Sequence, residues 1–303
     1  MLSGLTLVQV ALLLLAGVLL DVLLGEARRW HPLVGFGNLA MRIERFANRG
    51  RYLILRGTLA WALAVLPLTA LAFLAIRQCG VGALLGLALH ALLLYFAIGL
   101  RSLREHNLPI AAALERDDLP AARALTSRIV SRDTANANPT DLAKASTESL
   151  LENGNDAVFG ALFWFAVAGG PGVLLFRLAN TLDAMWGYRT PRFNLFGRFA
   201  ARVDDVLNYL PARLTALSYV ILADHPRRAW RCCHAQAPNW SSPNAGPVMS
   251  TGAARWAWRW AAPPSTTGWK KSGPCWGTVL RPRAKISAAP GAWYAPPRCC
   301  GWA

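Results

Sequence analysis

Three apolar runs decide what this chain can fold into. Residues 5–24, 53–76 and 81–100 are each about twenty residues or longer and nearly free of charge. A helix rises about 1.5 Å per residue, so each run can cross the roughly 30 Å of hydrocarbon in a bilayer. Only 16% of the residues are charged, against about 25% in soluble domains. The expected class is therefore all-α: a polytopic integral membrane protein. The first run contains Gln9, Gly17 and Asp21, has no basic residue before it and no small-residue cleavage site after it. It reads as a retained helix and not as a signal peptide.

Charge predicts the topology. Residues 25–52 carry six Lys/Arg and two acids, residues 101–156 carry seven Lys/Arg, and the short turn at 77–80 carries one. The second and third runs form a hairpin, so both polar segments lie on one side, and their basic residues place that side in the cytoplasm. Within the cytoplasmic segment 101–156, Leu108–Leu114 and Leu119–Val130 read as short amphipathic helices, with Asp117, Asp118 and Pro120 at the turn between them. Residues 157–179 are apolar but interrupted by Gly169-Gly170-Pro171-Gly172. A straight helix carries that sequence badly. Two half-helices in a re-entrant hairpin carry it where protein buries the irregular backbone, and they return Asn180 to the side from which the segment entered. A kinked full span is the other arrangement these residues allow. Residues 206–223 form a last apolar run.

Against this background, polar residues crowd between Arg132 and Arg213. Glu148, Glu152 and Asp156 recur every four residues and would share one stripe of a helix. Like charges so placed suit a magnesium ion, which takes a few carboxylates with waters and phosphate oxygens, or else form a solvated acidic face. Asp183, Asp204 and Asp205 form a second acidic group flanked by Asn180 and Asn208, with Arg189, Arg202 and Arg213 interleaved. Arginine forks onto phosphate or carboxylate while carboxylates hold a metal, so the mixture suits a metal–nucleotide or a phosphorylated substrate. Ion pairs bracing short helices are the plainer alternative. Asp21, inside an apolar helix, requires a polar partner, and His31 reads as an interfacial packing residue. No P-loop, GxSxG, HExxH or GxGxxG pattern occurs, which leaves P-loop and serine-hydrolase chemistry unsupported.

The net charge of +16 is unevenly spread. The last acid is Asp224, and residues 254–303 hold eight Lys/Arg, seven Trp and three Cys with no acid. Half of the excess charge therefore comes from this segment, and the nucleic-acid reading of a high pI weakens. The segment has no helical or strand period. Because Trp has a single codon, a shifted reading frame can be partly reconstructed, and residues 255–271 then read as LGVALGGAAVYHGLEE, with the missing acids restored. The expectation is a domain over 1–253 followed by an aberrant, frameshifted and disordered tail over 254–303, with its activity at risk from the altered C-terminus. Cys232-Cys233 and Cys299-Cys300 lack zinc-site spacing, and Cys79 is expected to be inert.

Taken in order, these residues resemble the adenosylcobinamide-phosphate synthase family of cobalamin biosynthesis, the CobD/CbiB membrane proteins. The resemblance runs over about residues 10–253. It rests on Asp21, Gly25 and His31-Pro32; Arg132-Asp133-Thr134; Glu148-Ser149-Leu150-Leu151-Glu152-Asn153 with Asp156; and Leu162-Phe163-Trp164. The most specific stretch is Asn180-Thr181-Leu182-Asp183-Ala184-Met185 with Gly187-Tyr188-Arg189. Phe196-Gly197, Ala201-Arg202-Val203-Asp204-Asp205, Asn208, Pro211-Ala212-Arg213-Leu214-Thr215 and Ser242-Pro243-Asn244-Ala245-Gly246 extend it. The chain departs from the pattern at Glu26-Ala27, Ala135–Pro139, Gly154-Asn155 and Phe159-Gly160.

The resemblance implies an ATP-dependent ligase in the bacterial cytoplasmic (inner) membrane with its site facing the cytoplasm. It would join adenosylcobyric acid to aminopropanol or its phosphate, giving adenosylcobinamide or its phosphate. ATP and Mg2+ are the implied cofactors. Membrane lipid and other corrinoid-pathway enzymes are the implied partners, and nucleic acid is not. Asp183, Asp204, Asp205 and Arg189 are the expected catalytic residues. Arg132, Asp133, Thr134, Asn180, Arg202, Asn208, Arg213, His31 and Asn244 are expected to bind substrate and phosphate. Glu148, Glu152 and Asp156, or Asp183 with Asp204-Asp205, are expected to hold magnesium. The rival classes are a transporter or non-catalytic membrane scaffold, and a lipid-phosphate transferase.

Overall fold

The computed structural model describes residues 2–26, 31–240 and 242–255. Apart from its first two residues, the tail 254–303 lies outside them, and with it the shifted-frame reading. Among the described residues every regular element is helical. They are α1 (Leu7–Leu24), α2 (Pro32–Ala47), α3 (Leu53–Cys79), α4 (Leu84–Ala97), α5 (Leu100–Glu115), α6 (Leu119–Thr126), α7 (Pro139–Gly154), α8 (Gly160–Trp186), α9 (Arg198–Ile221), α10 (Pro226–Gln236) and α11 (Ala245–Arg255). One π turn, Asn155–Phe159, joins α7 to α8.

Among the described residues, four stretches are long and apolar enough to cross a membrane: Leu7–Leu24, Leu53–Cys79, Leu84–Glu115 and Pro139–Trp186. The outward faces of α1 and α3 expose Leu12, Leu15, Leu19, Leu55, Leu59 and Leu63. Water would penalise such a surface, whereas lipid tails accept it. The inward faces are small, with Gly17 of α1 against Leu94 of α4 and Ala60, Ala64 and Val65 of α3 buried. This is a helical membrane protein, as the apolar runs predict.

The fourth stretch is not a straight span. Gly169 breaks α8 with φ 65° and ψ −153°, a region essentially closed to residues with a Cβ. The amide of Asn180 then meets the carboxylate of Asp156 at 3.1 Å. A straight helix would separate residues 24 apart by about 36 Å, so the two arms of α8 fold back on each other. The re-entrant hairpin read from Gly169-Gly170-Pro171-Gly172 is the observed form. Its tip is buried: Leu2 N–H donates to Val167 O at 3.2 Å, and His90 of α4 accepts the Gly170 N–H at 2.7 Å on Nδ1. Irregular backbone is thus satisfied by protein, as a bilayer demands.

Two cores hold the hairpin. Leu13, Leu94, Phe165 and Val173 pack its first arm and tip against α1 and α4. Phe36, Trp61, Leu182, Trp186 and Phe196 pack its second arm against α2 and α3. Polar contacts close the frame. Asp21 accepts the Arg101 N–H at 2.8 Å, capping the first turn of α5 from another helix, so the polar partner expected for Asp21 is a backbone donor. Glu44 of α2 takes both Arg192 (2.6 Å) and Asn48 (2.7 Å), tying α2 to the α8–α9 connection.

Local expectations differ from the structure at four points, the first being that the helix expected over Leu119–Val130 ends at Thr126. The polar segment 25–52 contains a full helix, α2, whose N-cap is His31. The helix expected over Leu108–Leu114 begins at Leu100, because α4 stops at Ala97 and the chain restarts after two residues. The helix carrying Pro211 begins at Arg198, so the proline sits in its interior. The Leu207 carbonyl that Pro211 leaves without its usual donor accepts from Trp164 Nε1 at 3.0 Å instead.

Candidate functional site

The site lies at the open end of the hairpin, where the π turn, the second arm of α8 and the first half of α9 meet. Asn180 Nδ2 donates both to Asp156 Oδ2 (3.1 Å) and to Asp204 Oδ1 (3.2 Å). Asn208 Nδ2 reaches both oxygens of Asp204 at 3.2 Å. Asn155 Nδ2 donates to Asp156 Oδ1 (2.8 Å) and to Asn208 Oδ1 (3.2 Å), and its own Oδ1 accepts from Thr215 at 2.9 Å. One amide nitrogen therefore touches two carboxylates from elements 24 or more residues apart. Burial, with Asp156 and Asp183 nearby, pushes the Asp204 carboxyl up to about 8.

Asp183 sits one turn beyond Asn180, in electrostatic range of Asp156 and Asp205. Its carboxylate rests on Gly187, where a Cβ would stand 2.0 Å from Oδ1, so only glycine fits. Asp205 is shifted upward by burial, and Arg202 and Arg189 oppose that shift from beside it. Both arginines are exposed. Asn244 Nδ2 donates to the Asp205 carbonyl at 2.8 Å, and Asn244 Oδ1 accepts from Arg213 at 2.6 Å. Arg213 also lies over the Tyr209 ring at 3.6 Å. Asn244 and Arg213 therefore brace α9 against α11.

A second group flanks this one. Arg132 Nη2 and Glu148 Oε2 pair at 2.5 Å, with Lys144 Nζ 4.0 Å from the same carboxylate. Asp133 closes a turn by accepting the Ala135 N–H, and buried Thr134 donates to the Arg123 carbonyl. Those two residues shape the loop before α7. Glu152 is exposed and lies within electrostatic range of Glu148, Asp156 and Asp183, linking the two groups. His31 caps α2 by accepting the Leu33 N–H at 3.2 Å. Burial lowers its pKa, with Glu26 raising and Arg177 lowering it, so it borders the site through Arg177.

The stripe of Glu148, Glu152 and Asp156 is not a preformed metal cage. Among the described residues no three His, Cys, Asp or Glu side chains converge to hold a metal ion. The reason is local. Glu148 is committed to Arg132, and the π turn at 155–159 breaks the four-residue repeat and aims Asp156 at Asn180. The Asp156–Asp204 pair still fits magnesium, because its donors are all hard oxygens and that ion takes one or two carboxylates with waters and phosphate oxygens.

Several residues of the site escaped sequence reasoning. Asn155 stands where the chain departs from the family pattern, and Thr215 closes the Pro211-Ala212-Arg213-Leu214-Thr215 stretch with no role assigned to it. Arg177 was legible in principle, as a charge inside an apolar segment, and so was His90.

The CobD/Cbib protein family model matches residues 14–288. The chain is 58% identical over 247 residues to the cobalamin biosynthesis protein CobD of Stutzerimonas stutzeri (strain A1501), covering 81% of this chain and 80% of that protein. It is 52% identical over 250 residues to the protein of the same name from Chromobacterium violaceum, covering 80% and 78%. Against that of Mycobacterium tuberculosis (strain ATCC 25618 / H37Rv) it is 41% identical over 241 residues, covering 77% and 75%. No solved structure matches.

Proposed function

The chain belongs to the CobD/Cbib protein family and serves cobalamin biosynthesis, and we propose that it is an ATP-dependent amide ligase joining adenosylcobyric acid to aminopropanol or its phosphate. The observation that carries this reading is the pairing of half-buried Asp156 with buried Asp204 about Asn180, with Arg189, Arg202 and Arg132 on its margins.

A carboxylate does not condense with an amine until one of its oxygens becomes a leaving group. In the proposed reaction a carboxylate oxygen of the corrinoid attacks a phosphorus of ATP, and the bond from that phosphorus to its bridging oxygen breaks. The amine nitrogen then attacks the acyl carbon, the bond to the phosphorylated oxygen breaks, and the nitrogen loses a proton. Such transfers need positioning and charge neutralisation more than a protein nucleophile. Asp156 and Asp204 would hold magnesium, which when bound neutralises charge on the phosphate oxygens. Arg189 and Arg202 offer guanidinium forks to the same oxygens. Asp183 and Asp205 are the rim carboxylates that can take the amine's proton. The basic segments beside the site support a cytoplasmic orientation in a bacterial inner membrane, where ATP is available.

The test is nucleotide turnover by the purified protein in lipid nanodiscs. ADP or AMP should form only when the corrinoid acid and the amine are both present. Amide product without nucleotide consumption overturns the mechanism, and transport of either substrate without product favours a transporter.

A further inference from the structure

Arg177 is the one basic residue in the second arm of α8. It lies one helical turn nearer the hairpin tip than Asn180, to whose Oδ1 its Nη1 donates at 3.3 Å. Its Nε is buried and meets no hydrogen-bond acceptor. Among the described residues it forms no ion pair, although Asp156 and Glu26 are in electrostatic range. Both oxygens of Asp156 already accept from Asn155 and Asn180. A guanidinium has five N–H donors in a planar fork, and a buried charge left unpaired is costly. Ordinary structural arginines end on a carboxylate or a set of carbonyls. This one leaves its Nε without an acceptor beside a site that the ligase reading fills with oxyanions.

We propose that Arg177 is the oxyanion receptor of this site, forking onto substrate carboxylate or phosphoryl oxygens beneath the Asp156–Asp204 pair. The proposal rests on the ligase reading and adds the group that fixes the anionic end of a substrate. Its planar fork matches two oxygens on one carbon or phosphorus. The anion has two possible sources: the reacting carboxylate of the corrinoid, or a phosphate of the nucleotide or of the amine substrate.

The experiment measures binding calorimetrically to the full-length protein in nanodiscs. The probes, used one at a time, are adenosylcobyric acid, a non-hydrolysable ATP analogue with magnesium, aminopropanol phosphate and neutral aminopropanol. Arg177→Gln should weaken one anionic probe by about 10- to 100-fold, the scale of a lost charged hydrogen bond, and leave aminopropanol unchanged. The probe that weakens identifies the source. Arg177→Lys keeps the charge but not the fork, and should restore only part of the affinity. Binding of every anionic probe to Arg177→Gln as tightly as to the native protein overturns the proposal. So does equal weakening of all probes, aminopropanol included, or failure of both variants to give monodisperse protein, since each marks a structural role. If the native protein binds none of the probes, the ligase reading itself falls, an outcome distinct from a variant that matches the native protein.

Discussion

Asp204 shows how one side chain reconciles burial with chemistry. Its carboxyl is raised to about 8 by burial and by the neighbouring Asp156 and Asp183. A folded-state pKa above the ordinary carboxylate value of 3.8 gives stability that is complete below that value and lost as pH climbs through about 8. In metal-free protein the melting temperature should therefore fall between about pH 4 and 8, and Asp204→Asn should flatten that fall. Magnesium must displace the proton, so stabilisation by magnesium should grow over the same range and vanish in Asp204→Asn. At neutral pH an amide replaces a largely protonated carboxyl, so the variant should still fold, while turnover drops at least about a hundredfold, the scale of one lost electrostatic stabiliser. Native turnover in that variant would make the acidic group structural. Asp156, Asn180, Asp204 and Asn208 were legible because polar groups are costly in apolar surroundings. Asn155 was not, because its role depends on a π turn that no pattern announces. The regular spacing of Glu148, Glu152 and Asp156 does not bring the three carboxylates together, because the same π turn interrupts it.

The re-entrant α8 is the element that builds the site, and a glycine and a histidine hold its bend. At φ 65°, Gly169 lies where a Cβ would also stand 2.7 Å from the His90 ring. Gly170 opens the second arm with an N–H that has no partner in its own helix, and His90 Nδ1 supplies one. His90→Leu should leave that N–H buried and unpaired, costing about 1–3 kcal/mol. The expected readout is a melting temperature lowered by several degrees, with turnover lost in parallel as the arms misalign Asp156 and Asn180. Gly169→Ala should be worse and yield little monodisperse protein. A His90→Leu protein as stable and active as the native one would show that the bend needs no cap from α4. Gly169-Gly170-Pro171-Gly172 made the bend legible as a breaker in an apolar run. The cap was hidden, because His90 lies 80 residues away and only packing of α4 on the tip brings it there.

At the scale of the whole molecule, the hairpin settles which loops share a side. Asp156 and Asn180 meet at the open end, so the loop before α7 and the loop after α8 leave from the same face. Arg132 with Glu148 and Arg189 with Asp205 stand on that face together. Asn136 lies in the first loop and Thr190 in the second, and both are exposed. The apolar runs made the spans legible, and the excess of Lys/Arg at 25–52 and 101–156 predicts a cytoplasmic side for those segments, because basic loops resist translocation. What length and hydropathy leave open is whether Pro139–Trp186 crosses, since a hairpin and a kinked span have the same composition. Single cysteines at Asn136 and Thr190, in a background lacking all six native cysteines, separate the two. The expected result is that a membrane-impermeant maleimide labels neither residue in intact cells and both in inside-out vesicles. Labelling of Thr190→Cys in intact cells, with Asn136→Cys protected, would mean that the segment crosses, and would place Asp183 on the opposite side from Glu148. A site that needs both carboxylates and cytoplasmic ATP could not be assembled in that arrangement.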